Sequence, residues 1–219
     1  MNAAVSVDGK LSSRRREQVR ISGAEDFDRV DRIRAAADAV MVGVGTVLAD
    51  DPHLTLDEED RRVQRLRSGR PGNPARVVAD SRARTPADAR VLDGAATTYV
   101  LVSAAAPEDR RAALREAGAR VVEAGTDRVD LSTAFATLAE AGIERLMVEG
   151  GGELIFSLFD AGLVDELSVY VGSTVIGGRE APTLADGDGF VESFPALELE
   201  DVRRLDDGVV LEYLVARRE

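Results

Sequence analysis

The stretch "VEGGGELI", Val148 to Ile155, places three consecutive glycines between an apolar run and the first turn of a predicted helix. Each glycine inside regular structure costs about 0.5–1 kcal/mol relative to alanine, so three in a row need a reason. The preceding "RLMVEG" has the pattern of a buried strand, and "ELIFSLFDAG" has apolar residues at helical spacing and ends on glycine. Two explanations stay open: a tight strand-to-helix turn, or a phosphate site in which bare backbone N–H groups face an anion.

Strands and helices alternate through most of the chain before this turn. Short apolar strands are predicted at "MNAAVSV", "AVMVG", "ARVVADS", "TTYVLVS" and "ARVVEA", with helical patterns such as "APEDRRAALREAG" and "LSTAFATLAEAG" between the later ones. The charged segment "DEEDRRVQRLRSGRPGN" has the composition of an exposed helix and loop. This alternation predicts an α/β fold with a mainly parallel sheet flanked by helices.

The end of the chain follows a different pattern. "DELSVYVGSTVIGG" and "ALELEDVRRLDDGVVLEYLVAR" are strands with no helix between them, the last pair joined through Asp206-Asp207-Gly208. We therefore expect a C-terminal antiparallel hairpin and a mixed sheet. A length of 219 residues favours a single domain over residues 1–219.

Composition excludes several classes of function. The absence of cysteine excludes disulfides, thiolate nucleophiles and Cys-ligated zinc, and a single histidine, His53, cannot build a His-based metal site or a conventional catalytic triad. We expect no metal, and no chemistry from His53. The sequence lacks a long apolar run and a signal-peptide pattern, which predicts a cytoplasmic protein without a membrane span.

The charge balance is strongly acidic. The formal net charge is −12, which disfavours binding to nucleic acid or to anionic membrane surfaces. Of the 28 basic residues only Lys10 is a lysine. Acidic residues together with arginine indicate a protein adapted to high salt, where carboxylate repulsion is screened, although a GC-rich coding bias would give the same arginine excess.

Residues that follow the predicted strands form a candidate site, because open parallel sheets bind ligands beyond the carboxyl ends of their strands. The set comprises Asp8-Gly9-Lys10, then Gly43-Val44-Gly45-Thr46 with Asp50, then Asp80-Ser81-Arg82, and finally Glu149 with the glycines. Two glycine-bearing helix starts and a Ser-Arg pair could hold the pyrophosphate and the 2′-phosphate of NADPH. This pattern favours NADPH over NADH.

Four segments together resemble a known family. "NAAVSVDGKLS", "IRAAADAVMVGVGTVLADDPHLT", "NPARVVADSRARTP" and "LMVEGGGELI" are similar, in order and spacing, to the dihydrofolate-reductase-like pyrimidine reductases of riboflavin biosynthesis in their stand-alone archaeal form. The resemblance covers residue 2 to at least residue 177. It implies NADPH-dependent reduction of the ribosyl side chain of 2,5-diamino-6-(ribosylamino)-4(3H)-pyrimidinone 5′-phosphate, through an open-chain C1′ imine, to the ribityl form. Because the ligands of the zinc deaminase fused to bacterial relatives are missing, we expect reduction only.

The resemblance also implies roles for individual residues. Thr46 and Asp50 match positions at the nicotinamide half of the cofactor, and Asp80, Ser81 and Arg82 belong to the segment that meets the adenosine phosphate. Gly150, Gly151, Gly152 and Glu153 match the pyrophosphate loop. Arg34 matches a position that holds the ribose phosphate of the substrate, and Lys10 and Glu149 match positions that face the pyrimidine and the reacting sugar. Lys10, Asp50 and Glu149 are the catalytic candidates.

One position departs from the family pattern. Relatives commonly carry a basic residue two positions after "LT", where this chain has Asp57, so a phosphate partner is either lost or replaced, for instance among Arg14, Arg15 and Arg16. The family also forms homodimers, and the apolar residues Val169, Val171, Val175 and Ile176 could supply such an interface.

Several residues keep structural alternatives. Thr46 could cap the following helix, Asp50 could be a solvated helix end, and Ser81 could be an ordinary turn serine. Arg34 could pair with Asp31 or Asp38 on the surface, but we expect it to share a buried helix face with Phe27, Val30 and Ile33, where an arginine without a partner is costly.

Two rival functions stay open. One is a same-fold reductase of another pterin or pyrimidine, such as dihydrofolate, and the other is a non-catalytic NADPH-binding scaffold.

Overall fold

The computed structural model describes residues 1–17 and 19–216. Its helices are α1 (Ala24–Ala36), α2 (Val44–Asp50), α3 (Glu59–Arg67), α4 (Glu108–Glu116), α5 (Leu131–Glu140) and α6 (Gly152–Asp160), with a short 3-10 helix at Arg90–Leu92. Its strands are β1 (Asn2–Ser6), β2 (Ala39–Gly43), β3 (Ala75–Ala79), β4 (Thr98–Val102), β5 (Arg120–Glu123), β6 (Leu146–Gly150), β7 (Glu166–Gly172), β8 (Leu197–Leu205) and β9 (Gly208–Val215).

In the described part of the chain, no helix has the length and apolar character that crossing a membrane would require.

The chain folds as two compact units. The first contains Met1–Val30 and Val148–Glu219, and the second contains Asp31–Met147. The strands also form two sheets, of order β1-β7-β9-β8 and β5-β4-β3-β2-β6, where the sequence predicted one mixed sheet. The predicted α/β class, with a parallel sheet, flanking helices and antiparallel C-terminal strands, is confirmed. A single domain over the whole chain stays a prediction.

The second unit is built around parallel strands whose valines align across the sheet. Val42 lies opposite Val78, Val78 opposite Val100, and Val100 opposite Val121. β2 and β4 are buried along nearly their whole length, which is why their sequences are short, mainly apolar runs, whereas the edge strand β5 has an exposed Arg120 and Glu123. Parallel pairing places the loops that follow β2, β3, β4 and β5 along one edge of the sheet.

Helix α3 corrects the expectation of a fully solvated charged segment. The helix is present, but Arg65 is only 4% exposed. Its guanidinium donates to the backbone carbonyls of Ala35 and Ala37 at 2.8 and 2.7 Å, at the C-terminal end of α1. The final carbonyls of a helix have no partner within the helix, so the N–H groups of a buried arginine can satisfy them. The charge of Arg65 was therefore not a sufficient reason to expect that it is exposed.

In the first unit, the amino-terminal half of α1 buries charged residues. Asp26 and Arg29 are 1% and 6% exposed and form a 2.8 Å ion pair, and Arg29 also donates to Asn2 and Ser168. The expected apolar face is therefore wrong at Phe27, which is 53% exposed. A paired charge with satisfied hydrogen bonds can be buried without a large penalty, and apolar spacing alone does not reveal this.

The C-terminal hairpin forms as predicted and leaves apolar residues uncovered on β8. Leu197, Leu199 and Val202 are 42%, 53% and 54% exposed. In contrast, Val169 on β7 is only 5% exposed and packs in a core with Ile155. The expectation that Val169 supplies an interface residue is therefore wrong, since that side chain is already buried inside its own unit.

Candidate functional site

The turn after β1 is fixed by a serine and an aspartate. Ser6 Oγ donates to Asp8 Oδ1 at 2.7 Å and accepts from the backbone N–H of Lys10 at 2.9 Å. Asp8 also accepts from the backbone N–H groups of Ile176 and Gly177 at 3.0 and 2.7 Å. The hydroxyl of Ser6, followed by these backbone donors, lowers the pKa of Asp8 to about 2. Asp8 therefore stays ionised and holds the turn that carries Lys10.

A distant segment lies against Lys10. We call residues 178–186 the strap. Lys10 Nζ donates to the carbonyl of Ala181 at 3.1 Å, and the backbone of Leu11 donates to Pro182 at 2.9 Å. Lys10 and Thr183 form an isolated antiparallel bridge. The strap thus fixes both the backbone and the ammonium group of this lysine.

The three glycines each have a conformational or steric cause. Gly150 and Gly151 have φ values of +125° and +81°, where a side chain is strained. A Cβ at Gly152 would lie 2.5 Å from the carbonyl of Thr183 and 2.7 Å from Asp186 Oδ2, so the strap leaves no room for it. A tight turn is therefore sufficient to explain these glycines, and the phosphate site stays a prediction.

Two predicted acidic residues flank this turn. Glu149 on β6 is half-buried, and Glu153 in the first turn of α6 is exposed. A carboxylate in the first turn complements the helix dipole, which gives Glu153 a structural role independent of any ligand.

In the second unit, α2 begins directly after β2. Gly43 is its N-cap and Thr46 is its third residue, so the alternative in which Thr46 caps the helix is excluded. Gly45 is exposed, and a Cβ built on it has no neighbour within 4 Å among the described residues outside its own helix turn. At the start of α2, the backbone of Gly45 therefore faces open space and is not covered by a side chain of its own.

Asp50 is the last residue of α2 and is exposed. Desolvation by surrounding protein atoms nevertheless raises the pKa of its carboxyl above the ordinary value. A raised pKa suits a group that exchanges protons, and the exposure also fits the alternative of a solvated helix end.

The loop after β3 is tied to the loops after β4 and β5. Ser81 Oγ accepts from the backbone of Val129 at 3.0 Å, and the Ser81 carbonyl accepts from Ser103 Oγ at 2.8 Å. This supports the structural alternative for Ser81. The exposed Arg82 donates to the carbonyl of Ala105 at 3.2 Å, and within the described part of the chain this bond uses one of its five N–H donors.

Asp80 is fully buried beneath this loop. Its Oδ2 accepts from both the backbone N–H and the hydroxyl of Thr85, each at 2.7 Å. Its backbone carbonyl accepts from Ala83, which has a φ of +53°. The side chain of Asp80 therefore shapes the loop that presents Ser81 and Arg82.

Arg34 reaches the loop that follows α2. It is half-buried and donates to the carbonyl of Thr55 at 3.1 Å. Two residues on, the backbone of Asp57 donates to Asp31 at 2.8 Å, and Asp31 also pairs with Arg61. Arg61 therefore binds the same Asp31 carboxylate that accepts from the backbone of Asp57, the position where this chain lacks the basic residue of its relatives.

The remaining basic and histidine candidates lie on the surface. Arg14, Arg15 and Arg16 are exposed. The half-exposed His53 ring contacts Asp93, with Nδ1 3.2 Å from Oδ2, so the expectation that His53 packs or lies on the surface is confirmed.

A protein-family model for the RibD C-terminal domain matches residues 1–211. The chain belongs to this family. Among curated members, the 2,5-diamino-6-ribosylamino-4(3H)-pyrimidinone 5′-phosphate reductase of Archaeoglobus fulgidus is 47% identical over 95% of this chain and 93% of its own length. The enzyme of the same name from Methanothermobacter thermautotrophicus is 46% identical over 98% of this chain and 96% of its own length. These matches confirm the resemblance drawn from the sequence, and with it an oxidoreductase assignment.

A solved structure agrees at the level of the fold. A pyrimidine reductase-like protein from Corynebacterium diphtheriae superposes with a TM-score of 0.80 at 21% identity, covering 99% of this chain and 91% of that one. At this identity the comparison supports the RibD C-terminal fold alone.

Sequence reasoning missed the strap as part of the site of this RibD-family chain. Its contacts with Lys10 and Gly152 join positions more than 30 residues apart, and the hydrogen bond from Lys10 to Ala181 joins positions separated by 171 residues in the sequence. The available signal was the punctuation of "GGREAPTLADG", where glycines and a proline interrupt an apolar strand pattern.

Proposed function

We propose that this chain reduces the ribosyl side chain of 2,5-diamino-6-(ribosylamino)-4(3H)-pyrimidinone 5′-phosphate to the ribityl form in riboflavin biosynthesis, with NADPH as the hydride donor. The observation that carries the proposal is the identity of 47% with a reductase of that name across 93% of its length. Near-complete coverage of both chains matters, because a shared fold alone does not fix a substrate.

The residues of the second unit fit a dinucleotide. Open space at Gly45 permits close approach to the backbone beside Thr46, and the exposed guanidinium of Arg82 can bind a phosphate through two parallel hydrogen bonds. We assign Thr46 and Asp50 to the nicotinamide half and Ser81 with Arg82 to the adenosine phosphate. Asp80 supports them through Thr85. This assignment favours NADPH over NADH, since only NADPH carries the 2′-phosphate.

In the first unit, the glycine turn with Glu153 is assigned to the pyrophosphate. The positive φ angles of Gly150 and Gly151 turn the chain sharply at the start of α6, where N–H groups and the helix dipole favour an anion. Lys10 and Glu149, also in the first unit, are assigned to the pyrimidine and the reacting sugar. Arg34, which belongs to the second unit, is assigned to the ribose phosphate.

The residues bind and orient, while NADPH when bound supplies the hydride. Lys10 donates a hydrogen bond to a pyrimidine oxygen, and Arg34 balances the charge of the ribose phosphate. Opening of the ribosyl ring to the C1′ imine requires proton movement, for which the raised pKa of Asp50 is suited. Glu149, as a carboxylate, stabilises positive charge that develops on the imine.

The assay supplies the ribosylaminopyrimidine phosphate and follows loss of the reduced-cofactor absorbance, with mass spectrometry to detect addition of two hydrogens to the substrate. Turnover of this compound and not of dihydrofolate supports the proposal. Turnover of dihydrofolate alone would favour the rival reductase, and cofactor binding without turnover of either compound would favour the scaffold.

A homodimer is proposed for the assembled protein. Leu197, Leu199 and Val202 lie opposite Val215, Tyr213 and Leu211 of β9, across a register shift between Leu199 and Asp201, so they share one face of the exposed strand. Apolar rows of this kind mark interaction surfaces. Val202→Glu should produce monomer in light scattering coupled to size exclusion. A matched change at Val191, also exposed but outside the hairpin, should leave the mass unchanged.

A further inference from the structure

The strap connects Lys10 to the start of α6. At one end, the Ala181 carbonyl accepts from Lys10 Nζ and Thr183 pairs with the Lys10 backbone. At the other end, the backbone of Asp186 donates to the carbonyl of Gly152 at 3.0 Å. Both predicted functional segments of the first unit are therefore joined through fewer than ten residues of chain.

Asp186 closes the strap on itself. Its carboxylate accepts from the backbone N–H of Thr183 at 3.1 Å and from the hydroxyl of Thr183 at 2.5 Å. Hydrogen bonds to a carboxylate are stronger than those between neutral groups. The turn from Thr183 to Asp186 is thus held by side-chain bonds, and Thr183 is the residue that bridges to Lys10.

Steric contact fixes where this closed turn lies. The Thr183 carbonyl and the Asp186 carboxylate occupy the space that a Cβ at Gly152 would need. Ala181, the acceptor for Lys10, is 3% exposed. A buried acceptor on a braced turn leaves the ammonium of Lys10 little freedom.

We propose that Asp186 is a positioning residue for Lys10: by bracing Thr183 against the start of α6, it holds the Ala181 carbonyl where it orients the lysine ammonium. Asp186 touches neither substrate nor cofactor in this scheme. The inference rests on the proposed function, in which Lys10 binds the pyrimidine. Small displacements of a binding group reduce turnover strongly, because catalysis requires the reacting atoms to be aligned.

A double-mutant cycle tests the coupling, with kcat/KM measured at saturating NADPH so that cofactor affinity does not enter. Asp186→Ala should lower kcat/KM by about tenfold or more in the wild-type background and by less than about twofold in Lys10→Ala. Equal losses in the two backgrounds, or no loss in the first, would overturn the proposal.

Matched variants separate bracing from charge. Asp186→Asn keeps an acceptor oxygen and should retain activity within about threefold, and Thr183→Val keeps the shape but removes the hydroxyl and should lose activity as Asp186→Ala does. Asp188→Ala removes an exposed carboxylate from the adjoining chain and should have no effect. Loss in Asp188→Ala equal to that in Asp186→Ala would show a general charge effect and refute the bracing role.

A second readout does not depend on turnover. Because Lys10 is the only lysine, lysine labelled with 13C at Cε gives one side-chain NMR signal. An immobilised side chain should show two inequivalent Cε protons, which should merge in Asp186→Ala and Thr183→Val and stay separate in Asp188→Ala. If no pyrimidine is reduced but the signals merge as expected, the proposed function fails and the positioning role holds. Signals that are already averaged in the wild type, or unchanged in Asp186→Ala, overturn the positioning role.

Discussion

Gly45→Ala gives the sharpest test of the dinucleotide assignment. Gly45 lies in the first turn of α2 at a backbone conformation open to any residue, and outside its own helix turn the added Cβ meets no atom of the described residues within 4 Å. Alanine in a helix is favoured over glycine by roughly 0.5–1 kcal/mol. The free protein should therefore become more stable, and only a ligand that approaches the backbone should be obstructed.

The two effects have opposite signs and can be measured separately. For a chain of this size, 1 kcal/mol shifts Tm by roughly 2–4 °C, so the unliganded Tm should rise by about 1–4 °C. NADPH affinity should fall at least about tenfold, or ~1.4 kcal/mol, and the stabilisation by a fixed excess of NADPH should fall by the same free energy. Thermal melts with and without NADPH, together with calorimetric titration, measure both quantities.

The control is Gly72→Ala, whose Cβ would make only ordinary contact with Leu66 at 3.7 Å. It should leave NADPH affinity unchanged. Unaltered NADPH affinity in a stabilised Gly45→Ala protein would refute the assignment of α2 to the cofactor. Gly151→Val is a poorer test, because its φ of +81° strains any side chain whether or not a ligand binds.

Four further outcomes follow from the structure. Arg82→Ala should raise the KM for NADPH much more than that for NADH, while Arg110→Ala on the exposed side of α4 should change neither; equal losses for the two cofactors would make Arg82 structural. Lys10→Arg should lower kcat/KM by roughly 100-fold, about 2.7 kcal/mol, with NADPH affinity unchanged, and wild-type kinetics would reduce Lys10 to a surface charge. Because the pKa of Asp8 is lowered to about 2 in the folded protein, ionised Asp8 adds to the free energy of unfolding at pH values above its pKa in the unfolded chain, and this stabilisation is lost as pH falls from about 4 toward 2. Urea midpoints should show this loss of stability in acid for the wild type and not for Asp8→Asn. A net charge of −12 should make Tm rise between about 0.1 and 2 M KCl, and a falling Tm would contradict salt adaptation.

The elements of secondary structure were predictable because each carries a local signal. β2 and β4 are buried along nearly their whole length, so their sequences are short, mainly apolar runs, and Asp80 begins the loop after β3. Once the strands are located, the residues that directly follow them are located as well. The division into two sheets was not predictable, since it depends on the pairing of β1 with β7. The paired residues Asn2 and Ser168 lie far apart in sequence.

Buried charge was the main source of error. Phe27 has the spacing of a core residue, yet the helix buries Asp26 and Arg29 instead. The ion pair and the bonds to Asn2 and Ser168 satisfy these charges, and neither partner on the strands is identifiable from the helix sequence. A hydrophobic pattern ranks residues by their own transfer free energy, whereas burial of a charge depends on partners supplied by other elements.

The single lysine shows how far composition and geometry reinforce each other. An ammonium has three N–H donors on a slim stem, and among the described residues the Ala181 carbonyl takes one of them at 3.1 Å. Two donors remain for an acceptor on a ligand. An arginine at this position would bring a wider planar group against Ala181, a residue that is 3% exposed. We therefore expect the strap to disfavour arginine at position 10, and the kinetics of Lys10→Arg test this expectation.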